Sequence, residues 1–245
     1  MKNPIEELKS TLLKTENEVT AYDYFTPERT SIFDELQTQH EGLILFDTYK
    51  NEYKVVHWLH KENYPLDTTL TDYDSFLRMM HPDDRRYVVN GTLKALKLKE
   101  KKKDVNILHC KLMYECSLKD IHGVDRRFHQ QYRILELDEN GDIRLMLLLI
   151  NEIGAYKETL SARGMCIHNR KTRKFHALDN LTCLANKEIV VLQLVARGLA
   201  SDKMALKLAK SIYTINNHRC SILEKLGSNN VAHAVNYGRI MEIIV

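Results

Sequence analysis

Two adjacent asparagines, Asn216 and Asn217, stand between Tyr213 and Cys220 in a stretch whose apolar residues recur at Ile215, Ile222 and Leu226. On an α-helix those three residues share one face, which leaves Tyr213, Asn216, Asn217 and Cys220 on the opposite one. An asparagine amide carries a donor and an acceptor side by side. It can bridge N6 and N7 of adenine, at about 1 to 3 kcal/mol of discrimination against the wrong base. Lys203, Lys207, Lys210 and Arg219 lie nearby in sequence. They supply charges for phosphate, whose neutralisation gives affinity that depends on salt and not on sequence. The chemistry these residue types offer is the reading of double-stranded DNA, with base edges met by the asparagine face.

Other reactive residues are scattered. No spacing of nucleophile and base, no glycine loop that cradles phosphate and no metal-ligand pattern is legible, so the chain reads as a non-enzyme with no metal or cofactor. His57, His60, His109, His122 and His129 offer imidazoles in no ligand spacing. His81-Pro82-Asp83-Asp84 reads as a helix start, with proline at the first position and carboxylates at the positive end of the dipole. The five cysteines, Cys110, Cys116, Cys166, Cys183 and Cys220, are odd in number and include no Cys-x-x-Cys pair. This argues against a disulfide framework or a zinc site. Lys97 to Lys103 reads as a solvated charged break, and the basic turn Arg170 to Lys174 as a place where further DNA contacts and plain solvent exposure are equally open.

The asparagine face needs a scaffold, and the surrounding period supplies one. Val191, Leu192 and Val195 mark a first helix that closes at Arg197-Gly198, where glycine suits a left-handed end. Ser201 is expected to cap a second helix with Met204, Ala205 and Leu208 inward. Ser211 marks the turn, the third helix ends at Gly227, and a fourth runs from Val231 to Ile244. Four short helices with a tight turn between the second and third make a helix-turn-helix, whose third helix fits the major groove. From Leu184 onward there are eight Lys and Arg against four acids, so this part carries +4 and the remainder −1 of the net +3. Such asymmetry suits a chain that meets phosphates with its tail alone.

Upstream, Pro4 opens a helix over Ile5 to Leu13, and Ser31 a second ending near Gln39. Two strand-like runs follow, Leu43 to Phe46 and Tyr53 to Trp58. Helical spacing covers Phe76 to Met80 and Arg85 to Lys99. Three strands then run over Val105 to Tyr114, Arg127 to Leu137 and Ile143 to Ile150, with Asn140-Gly141 as a hairpin turn. This order predicts a sheet with helices on one side. Met165 to Leu178 reads as a connecting hairpin. With 28% charged and 44% hydrophobic residues the composition is globular. The longest strongly apolar run, Leu145 to Ile150, is far shorter than the roughly 20 residues that span a bilayer. A cytoplasmic protein with no membrane partner is expected.

Two resemblances refine this. The segments FLRMMHPDDRRYV (Phe76 to Val88) and FHQQYRILELDENGDIRLMLLLINEI (Phe128 to Ile153) are similar to the helix start and last two strands of a PAS domain. That resemblance covers roughly Glu41 to Ile153 and implies a sensor of a signal or partner. No cofactor-anchoring pattern accompanies it.

The second is more specific. Leu184, Glu188, Val191, Leu192, Ala196, Gly198, Ala205, Leu208, Ser211, Thr214, His218, Ile222, Lys225, Leu226 and Gly227 stand where the LuxR-type (GerE-like) DNA-binding domain has them. Departures are Ala185 for a usual threonine, Lys187 for arginine, Met204 for isoleucine and Asn216 for a basic residue. The resemblance implies groove contacts at Asn216, Asn217 and Cys220, and phosphate contacts near Ser211, Thr214 and Lys225. It also implies a homodimer through the fourth helix, whose apolar stripe here is Val231, Ala234, Val235 and Met241.

The expectation is an α+β chain in two domains. Residues 1–40 form a helical lead-in, 41–153 a PAS-like antiparallel sheet with helices, 154–183 a connecting hairpin, and 184–245 a four-helix DNA-binding domain. Its function is expected to be sequence-specific transcription regulation as a dimer. The alternative is an interaction protein that uses both domains to assemble with transcription machinery such as RNA polymerase, without an operator of its own.

Overall fold

The computed structural model describes residues 3–13, 24–64, 72–101, 106–153, 164–172, 174–178, 184–226, 228, 230–240 and 243–244. They fall into two compact units, one holding the described residues up to 153 together with 165–178, the other those from 184 onward. The architecture is mixed α+β. Among the described residues no helix is long and apolar enough to cross a membrane.

In the first unit α1 (Pro4–Leu12) and α2 (Pro27–Leu36) precede β1 (Gly42–Asp47) and β2 (Glu52–Trp58). Next come α3 (Tyr73–Met79), α4 (Pro82–Lys101), β3 (Cys110–Lys119), β4 (Asp125–Leu137), β5 (Ile143–Glu152), β6 (Cys166–Asn169) and β7 (Lys174–Ala177). The strands form one seven-stranded antiparallel sheet in the order β2-β1-β5-β4-β3-β6-β7. Local chemistry starts and turns these elements. Asn3 and Thr26 cap α1 and α2 ahead of a proline at the first turn. Asp138 Oδ1 accepts the N–H groups of Asn140 and Asp142 at 2.9 and 2.7 Å, which shapes the β4-β5 hairpin around Gly141 at φ +80°.

Strands β1 and β5 are buried on both faces. Ile44, Phe46, Met146, Leu148 and Ile150 pack in a core with Leu8 and Leu12 of α1, Phe76 of α3 and Val88 of α4. Leu43, Leu45, Leu145, Leu147 and Leu149 pack on the other side with Tyr24 and with Phe33 and Leu36 of α2. The expectation of helices on one side is thus corrected. A strand buried on both faces loses the alternation of polar and apolar residues, so its sequence cannot say that the second face is covered. At Gly42 a Cβ would collide with the Trp58 ring, so only glycine lets that indole lie across the start of β1.

Three further features differ from expectation. The hairpin of β6 and β7, read as a connector, pairs with β3 from Cys110↔Asn169 to Met113↔Cys166 and extends the sheet. Helix α4 continues through the expected break at Lys97, and Lys97 Nζ lies 2.7 Å from Glu7 Oε1 of α1. Asp84 is not a solvated helix-start carboxylate. It is 2% exposed, accepts the Ser117 N–H at 2.7 Å and pairs with Arg127 Nη1 at 2.9 Å. Arg127 Nε reaches Glu115 Oε2 at 3.4 Å. Of the two carboxylates at the helix start, Asp83 is the exposed one.

The second unit is helical: α5 (Asn186–Ala196), α6 (Ser201–Leu208), α7 (Ile212–Lys225) and α8 (Val231–Ile240). Val191, Leu192, Met204, Ile215, Ile222 and Ala234 lie in one core to which every helix contributes. Gly198, at φ +77°, lets α5 end and the chain turn into α6.

Candidate nucleic-acid interface and interior cavity

Helix α7 starts at Ser211, whose Oγ accepts the Thr214 N–H at 3.1 Å and lies 2.9 Å from Thr214 Oγ1. The preceding turn passes through Ala209 in the left-handed region, at φ +50°. Lys210 N–H donates to Ala205 O at 3.0 Å, which satisfies a terminal carbonyl of α6. These contacts set the angle between α6 and α7. Ile215 and Ile222 then turn inward, at 0% and 2% exposure, and Tyr213, Asn216, Asn217 and Cys220 turn to solvent. Lys203, Lys207 and Lys210 are exposed on α6 and the turn, and so is Ser211; Thr214 is half-buried.

Two of the expected phosphate-binding side chains have partners inside the domain. Lys225 Nζ lies 2.9 and 2.8 Å from the two carboxylate oxygens of Glu188. Arg219 Nη1 donates to Ser201 Oγ at 2.9 Å. Glu188 is 4% exposed and also accepts the Ala185 N–H and the Ser221 hydroxyl, each at 2.7 Å. Burial would raise its pKa, but the hydrogen bonds from Lys225, Ala185 and Ser221 outweigh it and hold the carboxyl below its ordinary value. Glu188 thereby ties the start of α5 to the end of α7. Its spacing three residues after the N-cap Ala185 was a visible sign of this. Only half of a capping box forms, because alanine has no hydroxyl to return the bond.

Contrary to the expectation from sequence, Ser201 does not cap α6. Ala200 holds the N-cap position without a side-chain hydrogen bond. The Ser201 hydroxyl instead faces α7, donating to Asn216 Oδ1 at 2.9 Å while accepting from Arg219. This link spans 15 residues and left no mark in the sequence pattern. On α8, Ala234 is 1% exposed within the core, and Val235 packs against that core. Val231 is half-buried, and Ala232, Asn236 and Arg239 are exposed. Met241 lies outside the described residues.

The sheet unit holds a cavity of about 110 Å³ between the sheet, α1, α3 and α4. Leu12, Leu77, Met146 and Ile167 line it with Tyr114 and Tyr132. Tyr53, adjacent in the core, brings its hydroxyl 3.4 Å from that of Tyr132. Burial raises the pKa of Tyr53, Tyr73 and Tyr114, and pushes Tyr132 up to about 12. These phenols are neutral hydrogen-bonding groups at physiological pH. Lys111 also borders the cavity, its Nζ donating to Gln131 Oε1 at 3.0 Å.

Residues 182–237 match the family described as bacterial regulatory proteins, luxR family. The Fimbriae Z protein of Escherichia coli K12 is 31% identical over 66 residues, which are 27% of this chain and 31% of that protein. The chain thus aligns with about a third of the length of the curated relatives it matches. Among solved structures, the phage VqmA-DPO complex is 15% identical, covers 88% of each chain and gives a TM-score of 0.30. A sensory box histidine kinase/response regulator from Burkholderia thailandensis is 19% identical over 49% of this chain and 83% of that one, with a TM-score of 0.35.

Proposed function

We propose that this chain, whose residues 182–237 match the luxR family of bacterial regulatory proteins, is a sequence-specific transcription regulator that reads DNA with α7. The observation that carries this is the α7 surface, where Tyr213, Asn216, Asn217 and Cys220 stand exposed together beside exposed Lys203, Lys207 and Lys210. Polar amides flanked by mobile cations suit base edges framed by phosphates.

The two asparagines read differently. Arg219 can only donate, so the Ser201 oxygen accepts from it and the Ser201 proton goes to Asn216 Oδ1. Asn216 then offers its N–H donors outward, which suits the acceptors N7 and O6 of guanine and does not suit bidentate pairing with adenine. Adenine reading falls to Asn217. Lys203, Lys207, Lys210 and Ser211 contact phosphates, while Arg219 and Lys225 act mainly by positioning α7.

The chain acts as a homodimer that docks Val231 and the exposed side of α8 on a second copy, placing two α7 helices about one DNA turn (~34 Å) apart. The sheet unit senses a signal. Its apolar cavity with neutral phenols suits a compact, uncharged molecule. Selection of bound sequences from a random DNA pool by the purified full chain tests the central claim. A palindromic motif is expected, and an absence of enrichment at low salt refutes it.

A further inference from the structure

At one end of the sheet three strand termini bring together side chains that are far apart in sequence. Glu41 immediately precedes β1, His60 lies two residues after β2, and Glu152 ends β5. His60 Nε2 is 3.0 Å from Glu41 Oε2 and 3.8 Å from Glu152 Oε2. One donor atom from each of the three residues lies within 4.8 Å of the others. From this geometry we infer that Glu41, His60 and Glu152 bind a first-row divalent metal ion.

Four observations support the site. Ligands about 2.0 to 2.2 Å from a common ion lie ~3.0 to ~3.5 Å apart, close to the separations from His60 to its two carboxylates. The ligand atoms are also held in place. The His60 ring is packed edge-on against Trp58, Tyr64 and Phe128, with centroids 5.3, 6.5 and 6.0 Å away. Glu41 Oε2 accepts the Glu152 N–H at 2.7 Å, and Arg126 Nη1 holds the outer oxygen Glu152 Oε1 at 3.4 Å. Supports of this kind orient ligands at metal sites.

The charge balance points the same way. Glu41, Glu152 and the adjacent Asp120 are three carboxylates, and Arg126, 3.6 Å from Asp120, is shared between Asp120 and Glu152. Among the described residues, His60 is the ion-pair partner of Glu41. The three carboxylates and Arg126 together carry −2, the charge that a divalent ion offsets. Finally, one imidazole with two carboxylates favours manganese, iron, cobalt or zinc over calcium and magnesium, which prefer all-oxygen shells. The Glu41 side chain is 34% exposed and that of Glu152 17%, which leaves room for water to complete the shell. Bound there, the ion ties the starts and ends of β1, β2 and β5 into one brace.

The sole tryptophan, Trp58, provides a local probe. Cobalt(II) titrated into the metal-free full chain is expected to quench Trp58 fluorescence with saturation at one equivalent and to add a visible d–d band without thiolate charge transfer. Zinc should displace it and restore the fluorescence. Glu152→Gln, and separately Glu41→Gln, should weaken the quenching by about tenfold or more, since losing a ligand costs at least what losing an outer-shell support costs. Melting curves of the metal-free variants check that each is folded. Failure of saturable quenching, a thiolate band, or quenching equal to wild type in folded Glu152→Gln overturns the site.

Discussion

The two units place their polar chemistry in opposite directions. Among the described residues of the helical unit the core is apolar apart from Glu188 and Ser228, and the amides of α7 and the lysines of α6 and the turn after it face solvent. In the sheet unit Lys111, Arg127, His129, Gln130 and Gln131 are buried, and so are Tyr53, Tyr73 and Tyr114 around or beside the cavity, with Tyr132 half-buried. Outward chemistry suits a rigid polyanion that approaches a surface. Inward chemistry suits a molecule enclosed by the fold. The contrast also predicts different weaknesses: the sheet unit fails when a buried charge loses its partner, whereas the helical unit can lose a surface side chain, keep its fold and change what it reads.

The largest expected effect lies in the sheet unit. Arg127→Ala leaves Asp84 and Glu115 without the guanidinium they share, and breaking a buried pair costs about 3 to 5 kcal/mol. Trp58 is 2% exposed in this unit, so its fluorescence during urea unfolding reports the loss. A change below about 1 kcal/mol would mean that the pair behaves like a surface one, and the contrast between the units would weaken.

Next in size is Glu188, the buried carboxylate among the described residues of the helical unit. Glu188→Gln weakens bonds from Lys225, Ser221 and the Ala185 N–H, and hydrogen bonds to charged groups are worth about 1.5 to 3 kcal/mol. Because the folded state depresses the Glu188 pKa, its stabilisation is present above the ordinary carboxylate range and is lost as pH falls through the folded value. Urea unfolding of the helical unit across an acid pH series should show that loss in wild type and a shallower dependence in Glu188→Gln. Equal slopes would mean that other carboxylates control acid sensitivity.

Legibility in the sequence follows the range of the contacts. The α7 face was readable because Ile215, Ile222 and Leu226 repeat at helical spacing within one element. The other strands and the Asn140-Gly141 turn were readable for the same reason and the mixed α+β class followed, but the strand expected over Val105 to Tyr114 runs instead over Cys110–Lys119. The pairing of Asp84 with Arg127 spans 43 residues, and the Glu41 and Glu152 contact spans 111. No local period records either. His60 carried no ligand spacing because its neighbours in space come from other strands. The docking of β6 on β3 was hidden likewise, since a short hairpin reads the same whether it pairs with a sheet edge or links domains.

A smaller effect, of opposite sign, tests whether the helical unit is fully capped. Ala185 has the extended conformation of an N-cap, at φ −66° and ψ 153°, but lacks the hydroxyl that would accept the Glu188 N–H. Ala185→Thr should complete the capping box and stabilise the unit by about 1 kcal/mol, seen as a higher urea midpoint of the helical signal. No gain would indicate that the Glu188 half of the box already positions the helix start.

The smallest stability effect should accompany the clearest change in recognition. Ser201 is at the first position of α6, where alanine is an equally good helix residue, so Ser201→Ala should shift unfolding by only about a few tenths of a kcal/mol. It removes the hydroxyl that fixes Asn216 Oδ1 and frees the amide to present donor and acceptor together. Sequence selection should therefore find guanine favoured opposite Asn216 in wild type and adenine gaining there in Ser201→Ala, with the position read by Asn217 unchanged. Adenine selected equally by both proteins would show that Asn216 is not oriented by Ser201 when DNA is bound. Loss of binding to every sequence would instead assign Ser201 to phosphate, because phosphate contacts weaken all sites alike.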